Sequence, residues 1–127
     1  MTVLIDSWGW IEYWKGGKLS EKVASYIDGE EEMVVSAINL AEVYLWVSRT
    51  YDETIAGGKV ATVEKRCHVI PVERDTALEA AKIKGKEKLG FADGLILATA
   101  RQVGGKVVTG DPDMKGLRDV VFLPGRA

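Results

Sequence analysis

Four acidic residues stand where a carboxylate is hard to explain as ordinary surface: Asp6, Glu42, Asp93 and Asp111. Asp6 directly follows Val3-Leu4-Ile5, a short apolar run that suits a strand buried on both faces. Asp111 follows Lys106-Val107-Val108-Thr109-Gly110, so it too lies just past the carboxyl end of a predicted strand. Ligands of open α/β sheets bind beyond those ends. Asp113, two residues further in a Gly-Asp-Pro-Asp turn, is a fifth candidate. Asp93 opens an apolar helix and shares a face with Ile96, Leu97 and Ala100. Its plainer reading is a helix cap, favoured there by the dipole. Glu42 has Ile38, Leu45 and Trp46 as helical neighbours, a setting that predicts half-burial or more. Glutamate is rarely buried without a partner, and Arg49, seven residues along, is the plainer choice.

Carboxylates gathered without counter-charges repel and raise one another's pKa. A divalent cation resolves that conflict, and oxygen-only ligands point to Mg²⁺ or Mn²⁺. Zinc is disfavoured, because the chain has one His and one Cys, adjacent as Cys67-His68. A serine or cysteine triad lacks parts for the same reason. Such a metal can polarise a phosphoryl oxygen and lower the pKa of bound water, which suits phosphodiester hydrolysis with no side-chain nucleophile.

The elements that would position these acids can be read along the chain. Strands are expected at 3–5, 33–35, 68–72, 106–109 and 120–123, and helices at 19–27, 37–50, 53–66, 75–88 and 92–103. Ser36 is placed as the N-cap of the helix from Ala37. Pro71 puts the third strand at an edge or near its end. Strands alternating with helices predict a three-layer α/β domain with a parallel sheet.

At 127 residues the chain predicts one domain, 1–127. Its 46% hydrophobic and 28% charged residues are those of a globular protein. A single cysteine closes no disulfide, and a reducing, cytoplasmic location is expected. The charge at Asp6 so near the start argues against a signal peptide or membrane anchor. The net charge of −2 argues against a general polyanion trap but not against a nuclease whose metal supplies the local positive charge.

Two rival sites lack their residues. A phosphoacceptor receiver domain needs an acidic pair after the first strand, an aspartate ending the third and a lysine ending the fifth; here stand Ile5-Asp6-Ser7, Val69-Ile70-Pro71-Val72 and Leu123-Pro124. A haloacid-dehalogenase-type phosphatase needs a second aspartate two residues after the first, where Trp8 stands.

The order Val-Leu-Ile-Asp6-Ser7, Asn39-Leu40-Ala41-Glu42, Phe91-Ala92-Asp93 and Thr109-Gly110-Asp111-Pro112-Asp113 resembles the PIN-domain family. More narrowly, it is similar to the VapC-type ribonuclease toxins of VapBC toxin–antitoxin pairs, over nearly the whole chain. The resemblance implies an α/β/α sandwich around a mostly parallel sheet and Mg²⁺- or Mn²⁺-dependent endoribonuclease activity. It also implies homodimerisation and neutralisation by a cognate antitoxin. It makes Asp6, Glu42, Asp93 and Asp111 the catalytic acids, with Asp113 an auxiliary metal ligand and the Ser7 and Thr109 hydroxyls supporting groups. An RNA-processing or DNA-flap nuclease, or a non-cleaving RNA- or protein-binding module, are the alternatives within the family.

Two further features have competing readings. Trp8, Trp10, Trp14 and Trp46 lie close to acids and could stack on RNA bases, though core packing or a dimer interface explains them more simply. Lys82, Lys84, Lys86 and Lys88 could hold RNA phosphates or form a solvated helix face. Lys15, Lys18 and Arg49 are weaker candidates for phosphate contact.

Overall fold

The computed structural model describes residues 1–124. Five strands form one sheet: β1 (Thr2–Ile5), β2 (Glu32–Ser36), β3 (His68–Ile70), β4 (Lys106–Thr109) and β5 (Val120–Phe122). Their order is β3-β2-β1-β4-β5, and every neighbouring pair is parallel. The helices are α1 (Ser7–Lys15), α2 (Ser20–Ile27), α3 (Ala37–Thr50), α4 (Glu53–Arg66), α5 (Arg74–Lys86) and α6 (Phe91–Gln102).

Alternation along the strands builds the three layers. Val3, Ile5, Met33, Val35 and Val108 face one core, completed by Trp10, Val23, Val43, Val47 and Val63 from α1 to α4. Leu4, Val34 and Val107 face the other, completed by Ala80 and Ile83 of α5 and Ile96, Leu97 and Ala100 of α6. The central strands are apolar on both faces, as a parallel sheet covered on both sides requires.

The sheet turns outward in both directions from β1. The chain passes from β1 to β2 and β3 on one side, then returns to place β4 on the other. The crevice between the carboxyl ends of β1 and β4 is therefore the switch point of the sheet. Ile5 pairs with Val108 there, which sets Asp6 beside Thr109.

Several boundaries differ from the sequence expectation. A nine-residue helix, α1, occupies a stretch outside the expected helices and sets Trp10 and Trp14 four residues apart on one face. β3 stops at Ile70 because Pro71 has no N–H to continue the ladder, and β3 is an edge strand. α5 ends at Lys86, leaving Lys88 outside the helix. The apolar girdle of α3 is only partly buried: Asn39, Val43 and Val47 form its inner stripe, while Tyr44 and Leu45 are 39% and 47% exposed.

Candidate active site

Asp6, Glu42, Asp93 and Asp111 line one cavity of about 210 Å³, together with Ser7, Trp8 and Ile96. Four separate elements deliver the four carboxylates: the β1–α1 junction, α3, the first turn of α6 and the β4 exit. Asp113 lies across the turn, on the wall of a neighbouring cavity that also holds Lys86 and Lys88.

Two of the acids are also caps. Asp6 is the N-cap of α1, with Oδ1 accepting from the Gly9 amide at 2.8 Å. Gly9 is required at that distance: a Cβ there would stand 2.4 Å from Ile5 Cγ2 and 3.2 Å from Asp6 Oδ1. Asp111 caps the short 3-10 turn Pro112–Met114, accepting from the Asp113 amide at 2.9 Å. Asp93, the acid with capping as its plainer reading, is not a cap. The N-cap of α6 is Gly90, with no side-chain cap bond, and Asp93 sits in the first turn facing the cavity.

Two hydroxyls orient the acids. Thr109 Oγ1 donates to Asp6 Oδ2 at 2.5 Å and accepts from the Asp111 amide at 3.0 Å, so one hydroxyl ties together the two strand-end aspartates. Ser7 Oγ donates to Glu42 Oε1 at 2.6 Å. Behind Ser7 stands Asn39, whose Nδ2 donates to Ser7 Oγ at 3.2 Å while its Oδ1 accepts from the Ser36 amide at 3.0 Å. With Ser36 Oγ accepting from Ile38, this closes a capping box at the start of α3. The sequence reading gave Asn39 no role. Its burial, with 0% of its surface exposed, shows only once α3 is packed against α1. A polar residue one turn before Glu42 was the available signal.

The electrostatics are those of uncompensated negative charge. Burial pushes the Asp6 carboxyl up to about 6 from 3.8, with Asp111 and Asp93 adding to the rise and the bonds from Thr109 and Gly9 opposing it. Burial also raises Asp93, as do the charges of Asp111, Glu42 and Asp113. Among the described residues, no Lys, Arg or His forms an ion pair with any of the five acids. That includes Arg49, the simplest alternative partner for Glu42.

Among the described residues, no three His, Cys, Asp or Glu side chains stand in a ready-made cage for an ion. The acids share a cavity wall rather than a point. The donor set still fits an oxygen-preferring divalent cation. It is all carboxylate, half-buried or deeper, and among the described residues no side-chain cation pairs with it.

The comparisons agree with this architecture. The family model described as PIN domain matches residues 3–120. No curated protein matches the sequence. Among solved structures, a toxin–antitoxin complex from Klebsiella pneumoniae is similar with a TM-score of 0.77 and 22% identity, covering 94% of this chain and 95% of that one. A sarcin-ricin loop cleaving toxin of Mycobacterium tuberculosis, VapC20, gives 0.73 and 16%, covering 93% and 98%. FitAcB from Neisseria gonorrhoeae gives 0.64 and 25%, covering 86% and 87%.

Proposed function

The chain belongs to the PIN domain family, and on that premise we propose that it is a Mg²⁺- or Mn²⁺-dependent endoribonuclease, the toxin of a toxin–antitoxin pair. The observation that carries the reading is the convergence of Asp6, Glu42, Asp93 and Asp111 on one cavity at the sheet's switch point, with no cation paired to them among the described residues. The likeness to a sarcin-ricin loop cleaving toxin supports RNA as substrate, and the likeness to a toxin–antitoxin complex supports a protein inhibitor. Homodimerisation is part of the same reading, and sedimentation of the purified chain tests it.

Asp6, Asp93, Glu42 and Asp111 would hold the metal, with Asp113 assisting from the adjoining wall. When bound, the cation supplies Lewis-acid polarisation of the scissile phosphate and a more acidic water. The chain's own residues do the positioning. Thr109 and Gly9 fix the plane of the Asp6 carboxylate and leave its remaining lone pairs for the cavity. Ser7, held by Asn39, fixes Glu42. Asp93 stands at the amino end of α6, where the helix dipole favours negative charge.

Purified protein should cut RNA with Mg²⁺ or Mn²⁺ and stop on chelation, and Asp93→Asn should lower the rate by at least a hundredfold while keeping the fold. A wild-type protein that cuts no RNA with either metal, or an Asp93→Asn variant as active as wild type, overturns the nuclease reading. Growth arrest on expression, relieved by a small co-encoded protein, tests the toxin reading separately.

A further inference from the structure

The structure divides the four tryptophans into two kinds. Trp10 is 1% exposed and packs into the core against Tyr13 and Trp14. Trp8, Trp14 and Trp46 are only partly buried and instead line cavities. Trp8 stands on the wall of the acid cavity and also of a second one, of about 430 Å³, which shares Ser7 and Glu42 with the first and continues to Ile11, Lys15 and Trp46. A third cavity, of about 220 Å³, shares Lys15 and Trp46 with the second and ends among Trp14, Tyr51, Ile55 and Lys59. The three form one trough running from the acids along α1 and α3.

The charge changes along it. The near end is acidic, with Glu42 and Glu12 on its walls. The far end carries Lys15 and Lys59 and no acid. The lysines lie by aromatic faces: Lys15 Nζ is 6.0 Å from the Trp46 ring centre and Lys59 Nζ 5.0 Å from that of Trp14. Tyr51 packs edge-on to Trp46 at 6.4 Å, holding that ring in place. Among the described residues, neither lysine is in an ion pair. Aromatic faces beside lysines are how proteins hold single-stranded nucleic acid: bases stack and phosphates meet cations. From Asp6 to Lys15 the trough follows the length of α1, about 13 Å at 1.5 Å per residue. That is the rise of about four stacked nucleotides.

We propose that this trough seats the RNA strand on one side of the cut, with a base stacked on Trp46 and phosphates held by Lys15 and Lys59. The proposal rests on the nuclease reading and names where its substrate lies. The Lys82–Lys88 run carries no comparable case. Lys82 pairs with Glu79, Lys84 donates to the Leu89 carbonyl, and the cavity lined by Lys86 and Lys88 also holds Glu87 and Asp113.

The test separates binding from cutting. In an Asp93→Asn background, the salt dependence of binding to a short labelled single-stranded RNA is compared with and without Lys15→Gln plus Lys59→Gln. Loss of two phosphate contacts should flatten the slope of log K against log salt by about 1.4. In the active protein the same pair should raise KM and leave kcat within about twofold, and Trp46→Ala should raise KM by about tenfold. Trp46→Phe should recover most of that loss, which a folding defect in the alanine variant would not predict. An unchanged slope and KM, in a wild-type protein that cuts RNA, overturns the proposal and leaves the nuclease reading standing. So does a Lys15/Lys59 variant that cuts normally but escapes a co-encoded inhibitor, since the trough then belongs to that protein. A wild-type protein that binds RNA with the lysine-dependent slope but never cuts it overturns the nuclease reading and keeps the trough.

Discussion

A buried carboxylate whose pKa is raised works against the fold that holds it. The Asp6 carboxyl sits at about 6 when folded against 3.8 in the open chain, chiefly through burial. The folded state therefore binds the proton more tightly than the unfolded one, and ionisation costs stability. That cost is absent below about pH 3.8, grows as pH rises through 6 and is complete above it. Two units correspond to ~3 kcal/mol as an upper bound. Metal-free Asp6→Asn should thus be more stable than wild type at pH 7 by about 1–3 kcal/mol. On acidification from pH 7 to 5 the wild type should gain more stability than Asp6→Asn, which keeps the raised Asp93, as followed by thermal unfolding in chelator. A variant less stable than wild type under those conditions would show that the Thr109 and Gly9 bonds outweigh burial. Asn39 makes the opposite case. Asn39→Ala removes partners from the Ser36 amide and from Ser7, with a cost of about 1–3 kcal/mol. Asn39 reaches Glu42 only through Ser7, so kcat should fall less in Asn39→Ala than in Ser7→Ala, which loses the bond to Glu42 itself.

At the scale of elements, the site is placed by strand ends and helix starts, and that is why much of it was legible. An aspartate after Val3-Leu4-Ile5 or after Val107-Val108-Thr109 can be located without coordinates, because a buried parallel strand announces its own end. Ser36 announced α3 in the same way, and the capping box is present. What the sequence hid depends on contacts between distant elements. The Ser7–Asn39 bond spans 32 residues, and the one local hint of Asn39, its place one turn before Glu42, does not say that it is buried. α1 is short and carries Gly9, so its pattern is weak, and the separation of Trp8 and Trp46 from Trp10 depends on which walls enclose a cavity. Packing between α5 and α6 is equally hidden. A Cβ on Gly94 would meet the Ala80 carbonyl oxygen at 3.0 Å, and that oxygen is backbone. Gly94→Ala should push the two helices apart, cost about 1–3 kcal/mol, and displace the neighbouring Asp93. Its activity should fall more than its stability explains, as kcat at saturating metal and a melting curve would show together.

For the molecule as a whole, the proposed metal site would couple ion binding to folding. A cation drawn to these acids neutralises the repulsion that raises Asp6 and Asp93. At about 100 times its Kd, Mg²⁺ or Mn²⁺ should stabilise the wild type by about 2.7 kcal/mol. That is a rise in Tm on the order of 10 °C for a domain of this size. Asp6→Asn combined with Asp93→Asn should lose most of that rise. Equal shifts in wild type and double variant would place the ion elsewhere.

The hydroxyl of Thr109 reaches Asp6 across 103 residues of chain. The strand at the middle of the sheet is thus made well before the strand that completes its cleft. A nascent chain on the ribosome holds Asp6, Glu42 and even Asp93 while still lacking the partner strand that aligns the first of them. On the proposed nuclease reading, the site is therefore aligned only once β4 has been made. If the chain is the proposed toxin, an inhibitor already present would meet it before it has had an opportunity to cut.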